Sequence, residues 1–331
     1  IIREGSAAKN YEALIPLLET YSDRLMFCSD DKHPNDLAVG HINELVKRSV
    51  KRGLNVMDVL RVASLNPIKH YNLDVGLLQV GDAADMVVVN NLTDFEVEST
   101  YIDGYLVAQN KTSMLEYRSS ILLNNFETDK KTLQDFEIKT TTENIKVIEA
   151  LDGQLITNAL EMKVKTDASG NAISDTENDV LKLAVVNRYE NAEVALAFIK
   201  NFGLKRGAIA SSVAHDSHNI IAVGATDADI LRAVNLLIEA KGGLVAVDGE
   251  KESVLPLPLA GIMTNENAWT VARQYTELDR MAKALGSPLH SPYMTLSFMA
   301  LLVIPNLKLS DKGLFDGEKF RFTDVFVKEN V

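Results

Sequence analysis

The sequence predicts a mixed architecture, α/β at its start and α+β over its second half, with a short all-β segment between them. Three observations carry this. Residues 1–74 follow the order of apolar run, polar loop and amphipathic helix that marks a βα unit. From Gly76 the helical periodicity stops and short strands with turn signals take over. Residues 143–326 alternate strands and helices again, but several strands follow one another directly, which favours α+β over a doubly wound sheet.

The elements are justified in order. Ile1-Ile2-Arg3-Glu4-Gly5-Ser6 reads as the end of a strand entering a loop; with no Met in front, Ile1 is expected to be an internal position of a longer protein. Glu12 to Tyr21 spaces Leu14, Ile15, Leu17, Leu18 and Tyr21 as a helix does. Arg24 to Cys28 is a short apolar run suited to a buried parallel strand. It ends in the polar cluster Ser29-Asp30-Asp31-Lys32-His33-Pro34. A helix from Asp36 to Arg52 places Leu37, Ile42, Leu45, Val46 and Ser49 on one stripe, with Gly53 to stop it. A third begins at an Asn55 cap and runs to the Asn66-Pro67 break. Together these suggest a fragment of a parallel barrel with an acidic strand end.

Strands are expected at Leu77–Val80 and Met86–Val89, then a hairpin over Tyr101–Val107 turning at Asp103-Gly104. The domain reading is barrel-like βα units over 1–74, a small β-segment over 75–110, a linker or peripheral stretch over 111–142, and an α+β domain over 143–331. Within the last, strands fall at 145–149, 180–186, 207–213, 219–223 and 243–247, and helices at 191–202, 227–241, 266–285 and 295–302. The polar run Asp167 to Asp179 reads as an exposed loop.

A net charge of −12 argues against a nucleic-acid surface and against docking on anionic membranes. The longest apolar run, Met294 to Ile304, falls short of the roughly 18–20 residues that span a bilayer. The single cysteine, Cys28, excludes an intramolecular disulfide and fits a reducing, cytoplasmic setting. No dinucleotide fingerprint or phosphate loop is present. A small or neutral ligand fits this balance best.

Two clusters could carry chemistry. Asp30 and Asp31 directly follow a buried strand, and catalytic groups converge at that end of a parallel barrel. Asp30 could bind a metal and accept a proton there; equally, Ser29, Asp30 or Asp31 could cap the next helix, and spacing alone favours the cap. His215-Asp216-Ser217-His218-Asn219 joins two apolar runs and should form the tip of a hairpin or crossover. Its imidazoles, carboxylate and amide could bind a metal, orient a base or read a purine edge, or it could be an ordinary exposed turn. Glu4 would point towards a barrel mouth if the first strand is right, and Ser6 is a credible helix cap. His33, His41 and His70 are better read as solvated, capping or packed side chains, and Cys28 as a packed thiol.

Residues 24–37, RLMFCSDDKHPNDL, followed by Gly40-His41-Ile42, resemble the last barrel strand and loop of adenine deaminases. Residues 76–89, GLLQVGDAADMVVV, are similar to a β-segment shared across amidohydrolases. Residues 207–224, GAIASSVAHDSHNIIAVG, resemble the hallmark of the extra C-terminal domain of adenine deaminases, as do Leu255 to Gly261 and Pro292 to Leu301. The resemblance implies the C-terminal remnant of a (β/α)8 metal-dependent hydrolase barrel, a small β-domain segment and a family-specific α+β domain.

It further implies hydrolysis of adenine to hypoxanthine and ammonia by the parent enzyme, through attack of a metal-held hydroxide at C6. Iron or manganese is the expected metal, with zinc as the alternative. Asp30, with Asp31 beside it, takes the position of the metal-binding, proton-moving carboxylate. His215, Asp216, His218, Asn219 and Glu4 are the substrate-binding candidates. The family's other ligands come from earlier strands, and this sequence has no histidine before His33, so the chain alone is expected to be inactive. A homodimer or higher homo-oligomer is expected. Two rivals stand beside this reading: an amidohydrolase acting on another cyclic amidine or amide, and a non-catalytic purine-binding or dimerisation module.

Overall fold

The computed structural model describes residues 1–6, 9–118 and 121–327. The chain divides into two compact units, Ile1–Ser119 and Ser120–Val331. No helix among the described residues is long and apolar enough to cross a membrane.

In the first unit, β1 (Ile2–Arg3) and β2 (Phe27–Cys28) pair in parallel, Ile2 opposite Phe27 and Arg3 opposite Cys28. The expected strand Arg24–Cys28 is thus regular only over its last two residues. Between β1 and β2 the helical stretch is α1 (Tyr11–Leu14), a 3₁₀ turn (Ile15–Leu17) and α2 (Leu18–Tyr21). Pro16 within the 3₁₀ turn has no N–H to donate, which interrupts a continuous α-helix. The single helix expected from Asp36 to Arg52 is two, α3 (Pro34–Val39) and α4 (Ile42–Lys51), because Gly40 leaves the first in an extended conformation. Next comes α5 (Val56–Leu60), capped by Asn55, whose Oδ1 accepts from the Met57 and Asp58 amides at 2.9 and 3.3 Å.

Pro67 does not end this helix as expected. A π turn (Arg61–Leu65) leads into α6 (Asn66–Tyr71), so Pro67 falls in a first turn, where a missing N–H costs least. The apolar face of this unit gathers Ile2, Tyr11, Ile15, Leu18, Phe27, Leu45, Val46, Val59 and Val62.

The rest of the unit is an antiparallel sheet in the order β3 (Met86–Val89), β4 (Val97–Ile102), β5 (Tyr105–Gln109), β6 (Thr112–Ser113). Asp103 and Gly104, both at positive φ (52° and 81°), make the β4–β5 turn. Leu77 to Val80 is not a strand: the Asp82 carboxylate accepts from the Leu77 and Gln79 amides at 2.8 and 3.3 Å, closing a turn where a ladder was expected.

The second unit runs β7 (Asn144–Ala150), β8 (Thr157–Lys163), β9 (Lys165–Thr166), β10 (Ala172–Ile173), β11 (Val180–Val186), β12 (Ala195–Lys200), β13 (Ala208–Ser211) and β14 (Ile220–Gly224). It continues through α7 (Asp227–Ala240), β15 (Gly243–Asp248), β16 (Lys251–Pro256), α8 (Ala268–Ala284) and α9 (Pro292–Phe298) to β17 (Leu307–Ser310), β18 (Gly313–Asp316) and β19 (Arg321–Phe322). Eight strands form one sheet, in the order β16-β15-β13-β14-β11-β12-β7-β8, antiparallel except for β12 with β7. Every residue of β11, β13 and β14 is buried, so these central strands are covered on both faces. On one face, Ile230, Ala233, Val234 and Leu237 of α7 pack on Ala184, Val186, Ala208, Ala222 and Val245.

Three expectations are corrected here. Residues 191–202 contain strand β12, not a helix, because pairing with β7 and β11 buries Ala197, Phe198 and Ile199. Residues 121–142 are not purely peripheral, since Phe126 and Phe136 join the core beneath α7. The polar run 167–179 is not simply exposed: Asn171, Ala172 and Ser174 are buried, and Ser174 Oγ donates to the Gly224 carbonyl at 2.9 Å.

Candidate functional site

The residues singled out from the sequence fall into two groups, one in each unit. In the first, the chain leaves the parallel pair β1–β2 with Glu4 and Asp30 just beyond the strand ends. The Glu4 amide donates to the Cys28 carbonyl at 3.2 Å, and the Ser6 amide to the Asp31 carbonyl at 2.9 Å, so the two loops are stitched together. Asp30 sits at φ +52° with its amide directed at Cys28 Sγ (3.2 Å). That backbone conformation suits a short polar side chain. The Ser6 hydroxyl accepts from the His33 amide at 2.9 Å and donates to Asp36, which ties both loops to the start of α3. His33 is buried, a correction to its reading as a solvated side chain.

Asp30 Oδ2 accepts a hydrogen bond from Arg3 Nη1 at 3.0 Å. Arg3 was missed by sequence reasoning, although it lies directly opposite Cys28 in the parallel register. Glu4 is paired with Arg48 (3.0 Å) and lines a cavity of about 530 Å³ with Lys32, His41, Glu44 and Arg48. Asp31 is exposed.

In the second unit, His215–Asn219 connects α9-facing β-structure to β14. The His215 amide donates to the Ser297 carbonyl at 3.1 Å, and its ring stacks on Phe298 with centroids 4.9 Å apart. The His218 ring meets His215 edge-on at 5.5 Å. Burial, then the neighbouring His215 and Arg188, hold the His218 imidazole below its usual range and so neutral near pH 7. Asp216 and Ser217 are exposed. Asn219 is buried, and its Oδ1 accepts from the Arg188 amide at 3.2 Å, so this side chain holds the loop in place.

Arg188 and Tyr189 also went unread. Tyr189 donates its hydroxyl proton to the Ser217 carbonyl at 2.7 Å and accepts from Arg188 Nη2 at 3.0 Å. The signal was available: Asn187-Arg188-Tyr189-Glu190 is a polar cluster directly after an apolar strand, the same pattern that pointed to Asp30. Antiparallel pairing of Val186 with Ile220 then brings that strand end beside Asn219.

The resemblance to amidohydrolases implies a divalent metal. Among the described residues, no group of three or more His, Cys, Asp or Glu side chains is arranged to hold one. Asp30, with Arg3 on one of its oxygens, offers at most a single ligand, so the described residues alone do not make a metal centre.

The family model of the adenine deaminase C-terminal domain matches residues 154–321, just over half of the chain. The chain belongs to the adenine deaminase family. The amidohydrolase family model matches residues 2–107. Adenine deaminase of Sulfurovum sp. (strain NBC37-1) is 53% identical over 325 residues, covering 98% of this chain and 59% of that protein. Adenine deaminase of Salinibacter ruber (strain DSM 13855 / M31) is 52% identical over 98% of this chain and 60% of that protein. Adenine deaminase of Borreliella burgdorferi (strain ATCC 35210 / DSM 4680 / CIP 102532 / B31) is 45% identical over 98% of the chain and 60% of its own length. The chain thus spans about 60% of the length of the curated relatives it matches.

Proposed function

We propose that this chain is the C-terminal part of an enzyme that hydrolyses adenine to hypoxanthine and ammonia. The observation that carries the reading is the 45–53% identity to adenine deaminases over 98% of the chain. In this reading residues 1–74 are the last βα units of an amidohydrolase barrel, 75–110 a segment of a small β-domain, and 143–331 the family-specific domain, whose core also takes in Phe126 and Phe136 from the stretch before it. The parallel pairing of β1 with β2 supports the barrel assignment.

The reaction breaks the bond from C6 to the amino nitrogen and forms one from C6 to a water oxygen. Asp30 is the proposed carboxylate of this step: Arg3 occupies its Oδ2, which leaves Oδ1 to take the water proton and pass it to departing ammonia. Holding one oxygen fixes the side chain's rotamer, so the other is pre-positioned. Asp31 is the neighbouring candidate for the same role. Divalent metal, iron or manganese in the first instance, would be bound mainly by groups outside the described residues, with Asp30 contributing one ligand.

His215, Asp216, His218 and Asn219 of the second unit, and separately Glu4 of the first, are the proposed substrate-binding residues. A neutral His218 and an amide offer the donors and acceptors that a purine edge needs. The rigid hold on Asn219 and Ser217 supports a positioned loop over a mobile turn. The assembly is proposed to be a cytoplasmic homo-oligomer. The test is turnover of adenine by the longer protein with H215A and H218A. Each should lower kcat/KM by about tenfold or more, equivalent to about 1.4 kcal/mol of transition-state binding, without lowering Tm. Unchanged kinetics in both variants would make the loop only a turn.

A second reading is favoured by one observation. With no metal-holding group among the described residues, the 331-residue chain by itself would be a purine-binding or dimerisation module. Calorimetry with adenine on the isolated chain separates the two, since the module reading requires heat of binding without metal.

A further inference from the structure

The second unit buries a guanidinium that no carboxylate balances. Arg188 is 4% exposed, and among the described residues it forms no ion pair. Its Nη2 donates to the Tyr189 hydroxyl at 3.0 Å, and its Nη1 reaches Asn124 Oδ1 only at 3.5 Å. Its Nε is buried, with no hydrogen-bond partner among the described residues. The guanidinium lies 4.7 Å from the Tyr189 ring centroid and 5.5 Å from that of Phe126. Those ring faces soften the cost of burial, but they do not satisfy an N–H. A buried charge left without a counter-charge is expensive, and proteins normally pair it.

The surroundings repeat the pattern. Lys241 Nζ lies 5.7 Å from the Phe126 ring centroid and donates to the Phe126 carbonyl at 2.9 Å. His218, whose loop Tyr189 holds, has Nδ1 buried without a hydrogen-bond partner among the described residues. Ser297, whose carbonyl anchors the His215 amide, is 2% exposed, and its Oγ has no hydrogen-bond partner among the described residues. Basic and donor groups therefore collect around one end of β11 in a chain of net charge −12. Backbone has been cleared for the guanidinium as well. Gly261 sits at φ +72°, and a Cβ built there would fall 1.7 Å from Arg188 Nη1. The neighbourhood reaches the surface at exposed Asn124 and Ser217.

We propose that the Arg188 guanidinium, with His218 and Lys241 as neighbours, is a binding site for an oxyanion, either a phosphate group or a carboxylate. The unpartnered Nε–H makes one edge of the guanidinium a planar fork, the geometry that matches two oxygens of such a group. His218 Nδ1 supplies a further donor when it carries the proton. The site shares His218 with the loop proposed to contact adenine, but its core, Arg188, has no part in that reading, so R188K tests the two separately.

The experiment is calorimetry on the 331-residue chain with inorganic phosphate and, separately, with acetate. The variants are R188K, which keeps the charge and loses the fork, and H218A, each with Tm measured in parallel. Saturable binding of either anion, weakened at least tenfold in R188K at unchanged Tm, is the expected result. The tighter of the two anions then names the ligand class. If R188K fails to fold, H218A carries the comparison, with at least a threefold loss of affinity expected. No saturable heat from either anion up to about 10 mM overturns the proposal. So does binding that both variants leave unchanged, which would place the anion elsewhere.

Discussion

Replacing Lys308 with Met should stabilise the second unit, and by more at low pH than at high pH. Lys308 lies on β17 opposite Phe315, is fully buried, and its Nζ donates to the Leu155 carbonyl at 2.7 Å. Burial pushes its ammonium down to about 7 from an ordinary 10.5. Between those values the unfolded chain holds a proton that the folded chain has released. Stability from this group therefore rises with pH across that window, and the full cost is present below about pH 7. With each pH unit between the two values worth a little over 1 kcal/mol the ceiling is about 5 kcal/mol, and linkage makes the cost about 2–3 kcal/mol larger at pH 6 than at pH 9. Met fills a similar volume but leaves the Leu155 carbonyl without its donor, a loss of about 1–3 kcal/mol that does not vary with pH. Urea unfolding followed by fluorescence of Trp269, the only tryptophan, reports on this unit. K308M should gain stability relative to the parent at pH 6, and about 2–3 kcal/mol of that gain should vanish by pH 9. Equal effects at both pH values would mean that Lys308 does not titrate in this window, and the burial argument would fail.

Other outcomes follow from the same geometry. Lys182, fully buried in β11, donates to the Phe136 carbonyl at 2.8 Å and pairs with Asp227 at 2.6 Å; D227N leaves that ammonium uncompensated and should cost about 3–5 kcal/mol in urea unfolding. N55A removes an acceptor from two amides of α5 and should cost about 1 kcal/mol, read by the same assay with circular dichroism reporting on the first unit. The isolated 331-residue chain, given adenine with iron or manganese, should release no hypoxanthine by chromatography.

Much of the fold was legible because burial writes itself into apolar runs. β11, β13, β14 and β15 are nearly continuous Val, Ile, Leu and Ala, and each was placed within a residue or two. The segment 191–202 misled because Ala, Glu and Leu favour a helix locally, and only pairing with β7 and β11 decides otherwise. Pro67 misled because a π turn absorbs the missing donor, a device that local preference does not reveal. At the candidate sites, Asp30 and the His215–Asn219 loop stand out as polar clusters at strand ends. Arg3 and Arg188 did not, because their importance comes from register: Arg3 faces Cys28 across a parallel pair, and Arg188 reaches Asn219 across an antiparallel one.

The central claim is that this chain supplies a working carboxylate, Asp30, to an adenine-deaminating enzyme. The direct measurement is kcat for hypoxanthine formation by the longer protein that contains this chain, parent against D30N, at matched metal content. The account predicts adenine turnover in the parent and a fall of at least about 10²-fold in D30N, the scale of a proton-transfer contribution. Near-normal turnover by D30N would remove Asp30 from the reaction, and a parent that leaves adenine unchanged would contradict the account as a whole.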